Sequence, residues 1–154
     1  MTSLKLIQLN FETGGYNLLA RVSINGKPAL LMVDTGSPTT VLDTDHLQKF
    51  VSQTELKRNP RRSMAAATTS VYTYVATIDK LEIGSVVIHD YKANTTDLSQ
   101  LNRTFRSMGN PQIDGLIGCD LLRHCKAVIN FDERVMELHA HVLPDEAAKN
   151  SIIE

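Results

Sequence analysis

The residue best placed to do chemistry is Asp34, within Leu30–Asp43, LLMVDTGSPTTVLD. The run LLMV is continuously apolar, which predicts a strand buried on both faces that carries Asp34 to the edge of the core. Gly36 permits backbone angles closed to other residues and lets another chain segment approach, while Thr35 and Ser37 bring hydroxyls beside the carboxylate. An acid that is positioned, partly desolvated and hydrogen-bonded is one whose proton affinity a protein can adjust. Hydrolysing an amide with an activated water needs an acid and a base. Two aspartates that share a proton supply both, because like charges at close range do not both ionise. The chain has no second Asp-Thr-Gly; Asp114-Gly115 is the nearest echo and lacks the hydroxyl. The simplest second acid is Asp34 of a second copy, brought up by a twofold axis.

Other chemistries find little support. A phosphorylated Asp-Lys-Thr-Gly motif needs a lysine at position 35, and the phosphatases with an Asp-x-Asp motif need an aspartate where Gly36 stands. The histidines are His46, His89, His124, His139 and His141; the last two alternate along a strand with no third ligand nearby, so no metal is expected. Cys119 and Cys125 are too few for a disulfide framework, do not form Cys-x-x-Cys and have no neighbour marking a nucleophile. They read as small buried apolar residues. A formal net charge of −1 gives no basic footprint for nucleic acid or an anionic membrane. No apolar run is long enough to span a bilayer, and the start, MTSLKLIQLNFETGG, has no secretory pattern. A cytoplasmic location is expected, or a periplasmic one if an upstream segment has been removed.

The elements that must hold Asp34 read as short strands punctuated by turns, the pattern of an all-β domain. Leu4–Phe11, Tyr16–Asn25, Pro28–Asp34 and Thr39–Asp43 read as strands, with a hairpin turn at Asn25-Gly26. Asp43 or Thr44 can cap a short helix near Thr44–Phe50. Lys57–Ser63 reads as an exposed basic loop, and Met64–Thr95 as strand-rich with a break at Gly84-Ser85. Thr96–Gln112 is polar with a turn at Gly109-Asn110-Pro111, and a second short helix is expected near Cys119–His124. Two strands joined at Asp132–Arg134 follow. The 154 residues suit one domain, with a core over about 4–141 and a tail over 142–154.

Two segments, VDTGSPTTVLD and DGLIGCDLLRHCKAVINF, resemble the single-domain, retropepsin-like aspartic proteases. The first is similar to that family's hydrophobic-Asp-Thr-Gly-Ser/Ala element. The second is similar to its hydrophobic-hydrophobic-Gly element, here Leu116-Ile117-Gly118, with a short helix after it. The resemblance implies a small closed β-barrel with one or two short helices. It implies Asp34 as the catalytic acid, paired with its mate across a homodimer, and Thr35 in a reciprocal hydrogen-bond network below the site. Gly36 would lie beside the scissile peptide. Ser37 would hydrogen-bond the carboxylate and favour its charged form, with an acid-side optimum as the consequence. Leu116, Ile117 and Gly118 would cross beneath the loop. A hairpin flap would close over the substrate with its tip at Ala65, Ala66, Ala67, Thr68 and Thr69; Tyr72 and Tyr74, on one strand face, would line the cleft or pack on the barrel. Termini that pair at the dimer interface would be TSLKLIQLNF and the C-terminal segment.

The expectation is therefore an aspartic endopeptidase acting on extended polypeptides as a homodimer, with no metal or organic cofactor. The alternative is a catalytically silent domain of the same fold kept for dimerisation or peptide binding.

Overall fold

Residues 1–52, 56–59 and 73–139 are described by the computed structural model. The chain runs through β1 (Thr2–Lys5), β2 (Ile7–Asn10), β3 (Tyr16–Ile24), β4 (Lys27–Val33) and β5 (Val41–Asp43), then a 3-10 helix over Thr44–Lys49. There follow β6 (Leu56–Asn59), β7 (Thr73–Ile83), β8 (Val86–Thr96), α1 (Ser99–Ser107), β9 (Gly115–Ile117), α2 (Cys119–His124), β10 (Val128–Asn130) and β11 (Val135–Leu138).

An eight-stranded sheet in the order β2-β3-β4-β9-β5-β8-β7-β6 curls until β3 meets β7, at Ser23↔Glu82 and Ile24↔Leu81. That contact closes a six-stranded barrel of mixed direction, the retropepsin-like architecture expected. The turns are those the local chemistry dictates. Asn25 and Gly26 take φ of 51° and 78°, the left-handed pair that a two-residue hairpin between twisted strands requires.

The continuous apolar run ahead of Asp34 has a physical explanation here. Leu31 points into the barrel with Ile24, Leu42, Ile78, Leu81 and Ile117. Met32 points outward into a second core with Leu9, Leu19, Leu98, Phe105 and Ile113. Leu98 and Phe105, one just before α1 and one on it, cover that outer face. Phe105 and Leu19 are wholly buried there, each contributing about 2–3 kcal/mol by removal from water.

The structure corrects several readings. Leu4–Phe11 is not one strand: β1 pairs with β11 and β2 with β3, so Leu6 marks a change of sheet. Thr96–Gln112 contains α1, whose nine residues present only Leu101 and Phe105 as large apolar side chains, too sparse a stripe to announce a helix. Lys57–Asn59 lies in β6, paired with β7, rather than in a loop. The cap expected at Asp43 or Thr44 is borne out at Asp43, which accepts from the Asp45 amide at 3.4 Å. The proposed flap tip Ala65–Thr69, Tyr72, His141 and the tail over 142–154 lie outside the described residues.

Candidate active site

β9 lies between β4 and β5, parallel to the first and antiparallel to the second. The loop Asp34–Thr40 leaves the end of β4, passes over the end of β9 and returns as β5. This places Asp34 beside Ile117, whose carbonyl accepts the Asp34 amide at 3.0 Å. The Ser37 amide donates to the Asp34 carbonyl at 3.2 Å, closing a tight turn. The Gly36 amide donates to Asp34 Oδ1 at 2.9 Å, so the carboxylate is held by its own turn. Asp34 is half-buried, and Thr35 and Gly36 are exposed, which leaves the acid facing outward from one chain.

The small residues are dictated by backbone crossing beneath the loop. A Cβ on Gly118 would sit 2.4 Å from Thr39 C, 2.5 Å from Thr39 O and 2.8 Å from Thr40 N. A Cβ on Gly115 would sit 2.3 Å from Val41 O. No flexible side chain can yield at either position, because the obstacles are main chain.

Past Gly118 the chain clasps the loop. The Cys119 amide donates to Ser37 O at 2.8 Å and the Asp120 amide to Pro38 O at 3.2 Å. Cys119 Sγ donates to Thr35 O at 3.1 Å. Thr40 is buried; its amide and hydroxyl both donate to Asp120 Oδ1 at 2.8 Å. The Thr40 hydroxyl in turn accepts the Gly118 amide at 3.0 Å. Thr40, Cys119 and Asp120 are thus site residues that the motifs did not flag. The available signal was an acid, Asp120, two positions after Gly118 at the start of a short helix. Tyr91, which donates to Asp120 Oδ2 at 2.9 Å, carried no sequence signal.

Of the site residues expected from sequence, Asp34, Thr35, Gly36, Ser37, Leu116, Ile117 and Gly118 come together around this crossing. Two expectations fail. The Ser37 hydroxyl donates to the Thr39 carbonyl at 2.6 Å, so the contact on which an acid-side optimum rests is not made within one chain. Cys119 is exposed, and only Cys125 is the buried apolar thiol expected.

Asp114 is not the missing acid. It lies at the opposite end of β9, where Oδ1 pairs with Lys49 Nζ at 2.7 Å and His46 Nδ1 at 2.9 Å. Asp43 is buried at that same end and accepts from the Leu98 amide and Asn102 Nδ2, each at 3.1 Å. The oxygens of Asp43, Asp45 and Asp97 lie within 4.8 Å of one another, but those of Asp43 are already taken by the Leu98 amide and Asn102. Asp120 touches the active loop, yet Oδ1 accepts three hydrogen bonds and Oδ2 accepts one. Among the described residues, one chain therefore offers one available carboxylate at this loop, half of an acid–base pair.

Comparison with known proteins agrees with the geometry. A family model described as aspartyl protease matches residues 20–121, well over half of the 154-residue chain. The fold is similar to that of a retropepsin-like aspartic protease from Rickettsia conorii, with a TM-score of 0.59, 19% identity and 90% of each chain covered. It is similar also to the retroviral protease-like domain of Ddi1 from Leishmania major, with a TM-score of 0.56 and 12% identity, covering 84% of this chain and 96% of that one. No curated protein matches the chain significantly.

Proposed function

The chain belongs to the aspartyl protease family, and on that footing we propose that two copies assemble one endopeptidase site, each contributing Asp34. The observation that carries this reading is the outward-facing Asp34 carboxylate, held by Gly36 and, among the described residues, the one acid at this loop not bound into it, since Asp120 on α2 has both oxygens hydrogen-bonded. With its twin opposite, one carboxylate is ionised and the other protonated. The ionised one takes a proton from a water that attacks the peptide carbonyl. The protonated one gives its proton to the carbonyl oxygen as the tetrahedral intermediate forms. Collapse breaks the C–N bond: the proton first taken from water goes to the departing amine, and one hydroxyl of the intermediate returns a proton to the second carboxylate, which restores the pair. Gly36 would lie against the scissile peptide and Thr35, exposed in one chain, would face the partner. Leu116, Ile117 and Gly118 hold the loop from below.

A surface for the second copy is available. The N-terminal strand β1, a candidate for the interface, pairs with β11 of its own chain and forms one edge of the three-stranded sheet. The three-stranded sheet has the order β1-β11-β10, and among the described residues no strand pairs with the outer edge of β10. Val128 and Phe131 there are 54% and 59% exposed, and the Tyr16 ring lies 6.4 Å from that of Phe131. An open edge with adjacent apolar side chains favours strand addition by another copy.

The test is binding of a hydroxyl-bearing peptide analogue of the tetrahedral intermediate to wild type and Asp34→Asn, with cleavage of a peptide library followed on dilution. Tight binding to wild type alone, and activity falling faster than protein concentration, are expected. If neither form cleaves while both bind peptides, the domain is a peptide-binding module.

A further inference from the structure

Tyr91 lies on β8, outside both segments that mark the site in the sequence, and packs its ring against the barrel core. Its phenol donates to Asp120 Oδ2 at 2.9 Å. Asp120 Oδ1 accepts from the Thr40 amide, the Thr40 hydroxyl and the Leu121 amide, each at 2.8 Å. Asp120 is therefore a junction. Thr40 ends the loop that begins at Asp34, Gly118 follows β9 and donates to Thr40, and Tyr91 enters from β8.

The phenol has a particular job in this junction. Among the described residues, every other hydrogen bond to the carboxylate comes from Thr40 or from the start of α2, on Oδ1. A donor on Oδ2 from a different strand ties the same carboxylate, and Thr40 through it, to β8. Burial, then the charge of Asp120 and its hydrogen bond, push Tyr91 far above the ordinary phenol value of 10.0. The phenol therefore keeps its proton, and its place as a donor, above the ordinary phenol range.

We propose that Tyr91 is a positioning residue for Asp34: through Asp120 and Thr40 it locks the Asp34–Thr40 loop onto β9 and sets the angle at which the carboxylate meets its twin. The catalytic half of this proposal rests on the dimeric protease reading; the loop-locking half does not.

Tyr91→Phe tests it, since the ring stays and only the hydroxyl goes. Amide hydrogen exchange is compared at Thr40 and Gly118, and at Ile78 and Leu81 of β7 as controls. Loss of a hydrogen bond to a charged group should speed exchange about tenfold at the first two and leave the controls unchanged. In turnover, kcat should fall about tenfold with KM within about twofold, as for an interaction that matters in the transition state. Asp120→Asn should produce the same changes, and the double variant should add little to either single one. Unchanged exchange at Thr40 and Gly118, a uniform rise that includes β7, or a loosened loop with unaltered kcat would each overturn the proposal. If wild type cleaves no peptide, the protease reading fails, and the exchange result alone decides the role of Tyr91 in the loop.

Discussion

Asp114 grips Leu30 at both of that residue's backbone polar groups. Its amide donates to the Leu30 carbonyl at 2.8 Å, and its Oδ2 accepts the Leu30 amide at 2.9 Å. The contact stands one residue before the parallel pair Leu31↔Gly115 and so sets the register that brings Val33 opposite Ile117, with Asp34 just beyond.

An acid in that position should matter for stability rather than for chemistry. Asp114→Ala removes the clasp on Leu30 together with the pairs to Lys49 and His46. A loss of about 2–4 kcal/mol is expected in urea unfolding. Asp34→Ala, at a half-buried turn, should shift the same midpoint by about 1 kcal/mol or less while abolishing cleavage. Equal losses from the two variants would contradict this division of labour.

Gly118→Ala should be far more damaging than an alanine at most surface positions. The added methyl meets Thr39 and Thr40 main chain within 2.8 Å, so the loop carrying Asp34 has to move. The cost should be about 3 kcal/mol or more, and activity should drop below detection even in whatever fraction folds. A thermal melt and a peptide assay on the purified variant check both parts.

Mixing subunits counts the acids in one site. If each site needs Asp34 from two chains, wild type exchanged with an equal amount of Asp34→Asn should retain about one quarter of the activity of the same total wild type. A chain active alone would retain about one half. The exchanged mixture has to reach equilibrium before the assay.

Stability should fall on the alkaline side, beginning with Cys125. Burial, and secondarily the charge of Asp120, push its thiol from an ordinary 9.0 up to about 11. Above pH 9.0 the unfolded chain loses this proton while the folded chain keeps it up to about pH 11, so the unfolded state binds fewer protons and stability drops as pH rises through that window. Tyr91, also raised above 10.0, acts in the same direction at higher pH. Cys125→Ala should remove the early part of the decline in urea unfolding, and Tyr91→Phe the later part. In the native state an alkylating reagent should label the exposed Cys119 and spare the buried Cys125.

Much of the barrel was legible because it is written in local chemistry. Asn25-Gly26 can turn left-handed, so the hairpin between β3 and β4 was readable. Two adjacent buried faces need an unbroken apolar strand, so LLMV announced its own position. α1 was not legible, because a helix that covers one sheet face with Leu101 and Phe105 needs few apolar residues. The single strand read over Leu4–Phe11 failed for a different reason. Alternation shows which residues face inward but not which sheet they face, and Leu6 separates two sheets.

By itself, then, the sequence determined that a carboxylate would stand at the end of a buried strand, on a glycine-containing turn, with a second glycine element to cross beneath it. These depend on hydrophobic runs and backbone freedom, which neighbours in the chain supply. Only the tertiary structure decided what the carboxylates would hold: Asp114 to Leu30, Asp120 between Thr40 and Tyr91. A hydroxyl or carboxylate has several possible partners of nearly equal worth, and which one it meets depends on where a segment 29 or 80 residues away arrives.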